Sequence, residues 1–545
     1  TCHEWEENTV GPAFKTIAAK YDDSQEVTDY LIARVKEGGS GVWGSTLMNP
    51  HPHLDDQDLK LMIEFILSLD SEETEVASNT GKPQALPEVV DNPGFGSPLS
   101  GVHPSYDLET LDSQEQPFAV GGLAFYPDGR LIVTTWTPEG YVYLLDGVTE
   151  GDPENIKVTR IAEGLAEPLG VTVVDDQIFV LQKHELTQLI DLDGDQIIDE
   201  YRAVCNEFDV STDFHEFAFG LVHRDHHFYA NLSIPMRLMV GEMPLPDRGR
   251  TVKIGMDGSV EHLNYGLRQP NGIGFGVDGE IFVTDHQGQW LPGNKLIHVR
   301  KGKFHGMRWV LPDSLKHIPE EPPTVWLPQD EIANSPSEPT TLNDGPYKGQ
   351  MLFGDVSHGG IKRVYLEKVN GTYQGAVFRF TQGLKAGVNR LRWGPDGALY
   401  IGGVGMVGGW SWRGQRSGLQ KIRYNGTSTF EILNVSALSN GFTIEFTEPL
   451  AAGQAENKSD FLVKQWWYLP TAAYGGPKQD ETIMDIRKVT VSKDRRSVSL
   501  EIPGLKPGHV VYFLLNDQLT SKNNHSLWSG EAWYTLNNKP GTNEY

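Results

Sequence analysis

The sequence predicts a mainly β chain: a six-bladed β-propeller, with a small all-α domain before it and an immunoglobulin-like β-sandwich after it. Three observations predict this. A glycine-led unit of apolar strand, turn and second strand recurs through the middle of the chain, at intervals of roughly 50 residues. Helical apolar periodicity is confined to the start, and past residue 425 the repeat stops while short alternating strands continue. The implied organisation is a helical domain over 1–70, a linker over 71–104, the propeller over 105–425 and the sandwich over 428–545.

The helical region opens on Thr1-Cys2-His3, the back half of a C-x-x-C-H haem-attachment motif. The first Cys of that motif would fall before Thr1, so the chain is expected to be truncated at its start. Val27, Tyr30, Leu31, Ala33 and Val35 suggest one helix face. Leu59, Met62, Ile63, Phe65, Ile66 and Leu69 suggest a second helix. Gly11-Pro12-Ala13-Phe14, Ile17-Ala18-Ala19-Lys20-Tyr21, Gly38-Gly39-Ser40-Gly41-Val42-Trp43-Gly44 and Met48-Asn49-Pro50 follow in order. The series resembles a small bacterial class I cytochrome c over roughly 1–70. The resemblance implies haem c, with His3 as proximal ligand, Met48 as distal ligand and Cys2 carrying one thioether; no residue here supplies the second. A His/Met pair raises the iron potential, which suits an electron acceptor. A small helical bundle with Met48 in its core is the alternative.

Among 545 residues, 46 are basic and 73 acidic, giving a net charge of -27. That argues against nucleic acid as a partner, because phosphates would be repelled, and it keeps the surface soluble. No apolar run approaches the ~18 residues of a membrane span, so no transmembrane segment is expected. No export signal is visible. Haem is attached to c-type cytochromes outside the cytoplasm, so the resemblance implies a periplasmic, extracellular or cell-surface location. Cys2 and Cys205 are the only cysteines. No disulfide is expected, since Cys2 is committed to haem and Cys205 falls in the next domain. Pro, Gly, Ser and acidic residues over 71–104 read as an extended tether.

The repeated unit begins at Gly122, Gly170, Gly220 and Gly272 and closes at Leu391-Arg392-Trp393-Gly394-Pro395-Asp396-Gly397. Asp-Gly between alternating apolar runs marks hairpin turns that need positive φ. The gap before the last copy fits one poorly matched blade around 347–353. Six blades result. Function then rests on the loops of one face, because propellers host many chemistries.

Tyr265-Gly266-Leu267-Arg268-Gln269-Pro270-Asn271-Gly272-Ile273 is followed by Thr284-Asp285-His286-Gln287-Gly288-Gln289, Asn294-Lys295-Leu296 and Lys301-Gly302-Lys303-Phe304-His305-Gly306. Their order and spacing resemble the soluble quinoprotein sugar dehydrogenases, six-bladed propellers that hold pyrroloquinoline quinone (PQQ) and Ca²⁺. The resemblance implies that His215, in Asp213-Phe214-His215-Glu216, is the general base for a sugar hydroxyl, a task that suits a neutral imidazole. Arg268 would polarise a quinone oxygen. Asn271 stands close to the family's Asn, which Gln269 replaces. Lys362 would contact cofactor carboxylates. Arg390 and Arg392 alternate along one strand and so face one side; they would grip carboxylates, which Arg matches well. Backbone carbonyls of Gly288 and Gln289 would bind the catalytic Ca²⁺. Gln269, Asp285 and Gln289 depart from the family pattern. As structural alternatives, His215 is a satisfied core histidine and the arginines pair with carboxylates such as Asp285 and Asp355.

Asp191, Asp193, Asp195 and Asp199 alternate as in a Ca²⁺ loop. Gln196 replaces the turn glycine and Arg202 stands in the place of the closing Glu, so the segment reads either as a structural Ca²⁺ site or as a solvated acidic turn. Past residue 425, the alternating runs read as a β-sandwich. Its Trp466-Trp467-Tyr468, Trp528, Trp533 and Tyr534 either pack a core or stack sugars. The expected function is a quinohaemoprotein oxidoreductase. PQQ in the propeller oxidises a sugar, polyol or other alcohol, and the haem relays electrons to a downstream cytochrome or respiratory chain. The alternatives are a non-catalytic glycan- or protein-binding propeller fused to a cytochrome, and a calcium-dependent lactonase-like hydrolase. Arg390 and Arg392 on the channel wall favour the quinone pattern.

Overall fold

A computed structural model of the chain describes residues 11–22, 24–42, 44–48, 55–68, 99, 101–113, 116–150, 153–236, 245–311, 317–405 and 410–541. The chain divides into two compact units, Thr1–Val90 with Gly405–Gly414, and Asp91–Val404 with Gln415–Tyr545.

The first unit holds helices α1 (Phe14–Lys20), α2 (Gln25–Glu37) and α3 (Asp56–Leu67), and a hairpin of Gly39–Gly41 with Gly44–Met48. The side chain of Ser24 caps α2 by accepting the Val27 N–H, and Gly38, at φ 69°, ends it in a conformation that favours glycine. Both α1 and α2 pack on α3, where Ala18, Leu59, Ile63 and Leu67 are buried. Leu61, Met62 and Phe65 of α3 remain exposed. The expected helices are present, but Met62 and Phe65 lie off the buried face. Leu69 and most of the expected tether lie outside the described residues. The end of that tether, 101–104, is packed: His103 is fully buried and Gly101 accepts the Gln382 N–H.

The second unit carries six successive antiparallel sheets in a repeating order, five of four strands each and one, the fifth, whose four ring strands belong to a larger sheet. Their first strands are Val120–Phe125, Gly170–Val174, Ala218–Arg224, Gly272–Phe275, Pro336–Thr341 and Gly387–Trp393. Each packs on the next and the last returns to the first, so the sheets form a closed ring. The sixth sheet is completed by Tyr106–Thr110, which pairs with Ser417–Tyr424, joining the two ends of the ring segment. That pairing covers the edge of Ser417–Tyr424, which would otherwise be open. The leading glycines reflect crowding between first strands. A Cβ on Gly170 would sit 2.7 Å from the Gly220 carbonyl carbon, and one on Gly272 would overlap the Ser337 carbonyl. The fifth sheet begins at Pro336, earlier than the expected 347–353, which holds its first turn and the start of its second strand. Pro336 and Pro339 are tolerated because a first strand pairs on one side only.

Two further sheets follow. One contains Ile432–Leu438, Gly441–Phe446, Ser497–Glu501 and Lys488–Val491; the other contains Glu531–Leu536, His509–Leu515, Phe461–Tyr468 and Lys478–Ile483. Phe442, Ile444, Val498 and Leu500 of the first share one core with Val463, Val511, Phe513 and Tyr534 of the second. The second sheet is continuous with the ring. Thr372–Thr381 pairs with Glu531–Leu536 through Ala376↔Tyr534 and its neighbours, making one eight-stranded sheet. Trp466, Trp533 and Tyr534 are buried, as core packing requires. Glu431 ties this region to the ring by hydrogen-bonding His103 at 2.6 Å and pairing with Arg363 at 3.3 Å. Burial alone would raise its carboxyl, but His103 and Arg363 more than offset that and hold it below its ordinary value.

Arg390 spans the centre of the ring. Its Nε donates to Gly121 O at 2.7 Å and its Nη2 to Leu169 O at 2.7 Å. Its Nη1 reaches Asn271 Oδ1 at 3.0 Å and Asn389 O at 2.8 Å. One guanidinium thus joins the first strands of the first and sixth sheets to segments leading into the second and fourth. Removing it orphans buried carbonyls, each worth about 1–3 kcal/mol when left unmade. Arg390→Met is expected to lower unfolding free energy by about 3 kcal/mol or more, and Arg392→Met, which is partly exposed, by about 1 kcal/mol, measured by denaturant titration.

Candidate functional site

In every ring sheet the first strand starts, and the second strand ends, on the same face of the ring. That face gathers His215 ahead of Ala218–Arg224, Arg268 ahead of Gly272–Phe275, His286 after Ile281–Asp285, and Lys362 just after the turn between Met351–Asp355 and Ile361–Val369. These come from three adjacent sheets.

Asp285 organises the first group. Its carboxylate accepts the N–H groups of Arg268 at 2.9 Å, Gln269 at 2.7 Å and His286 at 3.0 Å. Burial pushes its carboxyl up to about 6, against the pull of the Arg268 and Gln269 N–H groups. With its main chain so fixed, Arg268 sends Nη1 to Gln287 O at 2.9 Å and sets its guanidinium 5.1 Å from the Tyr474 ring centre. A Cβ at position 288 would overlap the Arg268 side chain, so Gly288 leaves it room. The Nε2 of His286 lies 2.9 Å from Pro336 O, and burial pushes its imidazole down to about 3. Burial, then the charge of Arg268, then His286 hold His215 well below its ordinary value. His215 is therefore neutral at pH 7. The Ile234 main chain hydrogen-bonds its ring, and its own N–H donates to Asp213 Oδ1 at 2.8 Å.

Asp355 organises the second group in the same way. It accepts N–H groups from Asn334 at 2.8 Å, Ser335 at 3.1 Å, Ser357 at 3.0 Å and His358 at 2.7 Å. Burial pushes Lys362 down to about 8, against the attraction of Asp355. Its ammonium donates to the Gly359 carbonyl. Among the described residues, no carboxylate oxygen lies within 4 Å of the Arg268 or Lys362 cation. Two buried polar groups beside them are unsatisfied among the described residues: both ring nitrogens of His358 and both amide atoms of Gln269. Such groups call for a partner. Two buried cations with polar groups to spare thus lie on this face of the ring.

Other expected site residues take different roles. Arg390 and Arg392 do face one side, since both approach Glu338, at 3.9 and 2.9 Å. Their donors are engaged by the ring itself: Arg390 as described, and Arg392 through Leu123 O at 3.0 Å. Asn271 donates to Asn389 Oδ1 at 3.1 Å and accepts from Arg390. All three residues are thus bonded within the ring, and every nitrogen of the Arg390 guanidinium is engaged by protein. The Gly288 carbonyl accepts N–H groups from Leu291 at 3.1 Å and Gly475 at 3.0 Å, and Gln289 bridges to Tyr474. With both lone pairs used, the Gly288 carbonyl is not available to Ca²⁺. Asp191, Asp193 and Asp195 bring carboxylate oxygens within 4.8 Å of one another. They also accept main-chain N–H groups, Asp191 from Gly194 and Gln196 and Asp195 from Ile197, as a solvated turn does. Asp199 accepts from Leu192 and stands outside that group. Cys2 and His3 lie outside the described residues. Met48, half-buried, ends the hairpin of the first unit.

Residues 1–70 match the family model for cytochrome c. Over 68 residues, 12% of this chain, they are 46% identical to cytochrome c-552 of Nitrosomonas europaea, covering 66% of it. Over an equal stretch they are 41% identical to cytochrome c-552 of Hydrogenobacter thermophilus, covering 68% of it. The chain thus spans about two thirds of the length of these curated relatives. Among solved structures, the PQQ-bound aldose sugar dehydrogenase of Streptomyces coelicolor aligns with 59% of this chain and 100% of its own, at 15% identity and a TM-score of 0.42.

The Lys362 cation exists below about pH 8. Folding lowers its pKa from the ordinary value of about 10.4, so between these values the unfolded chain binds more protons and stability contributed by this group rises with pH. Anion affinity runs the opposite way. Citrate, used as a polycarboxylate probe in calorimetry, is expected to bind more weakly as pH rises through 8, and Lys362→Met is expected to abolish that dependence.

Proposed function

The chain belongs, through residues 1–70, to the cytochrome c family, and on that premise we propose that it is a quinohaemoprotein oxidoreductase. In this reading the ring of sheets is a six-bladed propeller that binds PQQ, oxidises a sugar or other alcohol, and hands the electrons to haem c. The C-terminal sheets form an immunoglobulin-like sandwich. The protein works outside the cytoplasm and delivers electrons to a further cytochrome or respiratory chain.

One observation carries the reading: Arg268 and Lys362, both buried and without a carboxylate oxygen within 4 Å among the described residues, lie on the same face of the ring as His215, whose imidazole is held neutral by burial and by the Arg268 charge. An anionic, planar quinone fits that donor set. Lys362 and the His358 ring would meet its carboxylates, and Arg268 with the Gln269 amide would meet its carbonyl oxygens. When bound there, PQQ would supply a hydride acceptor for the alcohol carbon. His215 takes the hydroxyl proton onto its imidazole. Its neutrality at pH 7 makes it an available base, and the bonds to Ile234 and Asp213 fix its orientation. Arg268, anchored by Asp285 and Gln287, holds a positive charge where negative charge develops and costs no reorganisation. Each alcohol oxidised to a carbonyl releases two electrons and two protons, and a haem takes the electrons singly. The exposed Leu61, Met62 and Phe65 of α3 would offer apolar contact to a haem, and Met48 would be a ligand to its iron. A hydrolase built on a divalent cation at the ring centre is disfavoured, since the Arg390 guanidinium occupies that place.

Stopped-flow absorbance of the haem-bearing protein, mixed with sugars in the presence of PQQ, tests the proposal. Haem reduction should require both sugar and PQQ. His215→Ala should slow it by about 10²–10⁴-fold, the usual contribution of a general base, while PQQ still binds. Failure of PQQ to bind in titration would leave a glycan- or protein-binding ring.

A further inference from the structure

The C-terminal sheets reach the site. The loop 469–477 joins Phe461–Tyr468 to Lys478–Ile483 and is seated on the segment that follows His286. Trp290 N–H donates to Thr471 O at 2.7 Å, Gly475 N–H donates to Gly288 O at 3.0 Å, and Gln289 bridges to Tyr474. Gly475 and Gly476 permit this seating. A Cβ on Gly475 would sit 2.8 Å from Gln287 Nε2, and one on Gly476 would sit 2.8 Å from Pro292 Cβ. The loop is therefore clamped to the residues that hold Arg268. It carries one large aromatic. Tyr474 places its ring 5.1 Å from the Arg268 guanidinium carbon yet remains 57% exposed. Across the site, Phe214 is 56% exposed beside His215, with ring centres 5.8 Å apart.

An aromatic ring left open on a rigid clamp beside a buried cation is unusual, because burying such a ring is strongly favourable. The cation orients the ring by attraction to its face. The exposed remainder is an apolar platform on which the C–H face of a saccharide ring can stack, while its hydroxyls meet His215. Resting on the function proposed above, we propose that the sandwich domain is part of the active site and that Tyr474 is a specificity-determining residue for the saccharide.

The test is calorimetric titration of the haem- and PQQ-bearing protein with D-glucose, cellobiose and maltotriose, alongside steady-state kinetics. Tyr474→Ala is expected to weaken saccharide affinity roughly tenfold, about 1.4 kcal/mol, and to raise KM in proportion with a much smaller change in kcat. Tyr474→Phe, which keeps the ring, should restore most of the affinity. Gly475→Val, which wedges the loop off Gln287 and leaves Tyr474 in the chain, should reproduce the loss. Saccharide affinity unmoved in Tyr474→Ala, or no saccharide binding by the unaltered protein, would overturn the assignment. PQQ titration monitored by its own absorbance keeps the two readings apart. A protein that binds no PQQ refutes the quinone function, whereas PQQ binding with Tyr474 irrelevant to saccharide refutes only this inference.

Discussion

The crowding of first strands around the ring centre is the constraint on which the rest depends. Six sheets close only if their first strands approach to main-chain contact, which is why Gly170 and Gly272 lead theirs. Such closeness leaves carbonyls at the centre that no strand can pair. Arg390 answers them, with every nitrogen of its guanidinium engaged by protein. A planar fork of five N–H donors is the one side chain able to do so at once. The same fact fixes where a ligand can go. With the centre filled, the proposed ligand site lies instead on the face that carries Arg268, His215 and Lys362.

Two buried aspartates set that face. Asp285 and Asp355 each terminate a second strand and each accept three or more main-chain N–H groups, from the segment leading into the first strand and from the turn after the second. These bonds use up the carboxylates on backbone, so the neighbouring cations are held near a negative charge without pairing to it. A direct ion pair would have neutralised Arg268 and Lys362 and closed the site to anions. The eight-stranded sheet makes a comparable contribution at larger scale. Because Glu531–Leu536 continues the fifth ring sheet, the loop bearing Tyr474 is positioned by strand pairing.

Much of this was legible in the sequence. The repeat shows because close approach and positive φ both demand glycine, at Gly170 in one case and at Gly129, Gly279 and Gly397 in the other. The start of the fifth sheet was hidden. Pro336-Ser337-Glu338-Pro339 has neither the apolar run nor the glycine of its counterparts, because Ser337 bonds Val388 O and Glu338 meets Arg392. His215, Arg268 and Lys362 were found as chemistry-bearing residues beside recognisable turns. Arg390 was found too, but a sequence does not distinguish an arginine that holds a ligand from one that holds a frame; that depends on carbonyls contributed by Gly121 and Leu169, far away in the chain. The same limit hid the loss of the Gly288 carbonyl, whose second partner is Gly475. It hid Tyr474 altogether, since only the fused sheet brings it to Arg268.

The charge balance of this face follows from how its two aspartates are bonded. Near pH 7 it holds Arg268 and Lys362 against Asp285 and Asp355, close to neutral in sum. Asp285 titrates near 6 and Lys362 near 8, both within reach of physiological pH. An arriving anion raises the pKa of every neighbouring group, drawing Lys362 further into its charged form and Asp285 toward its neutral form. Each change adds positive charge beside the ligand. In the proposed reading, a bound anion would draw protons onto this face, where a fixed ion pair would have to break. Because burial produces both shifts, with each aspartate held on main-chain N–H groups, the response is a property of the ring's closure as much as of the residues at its mouth.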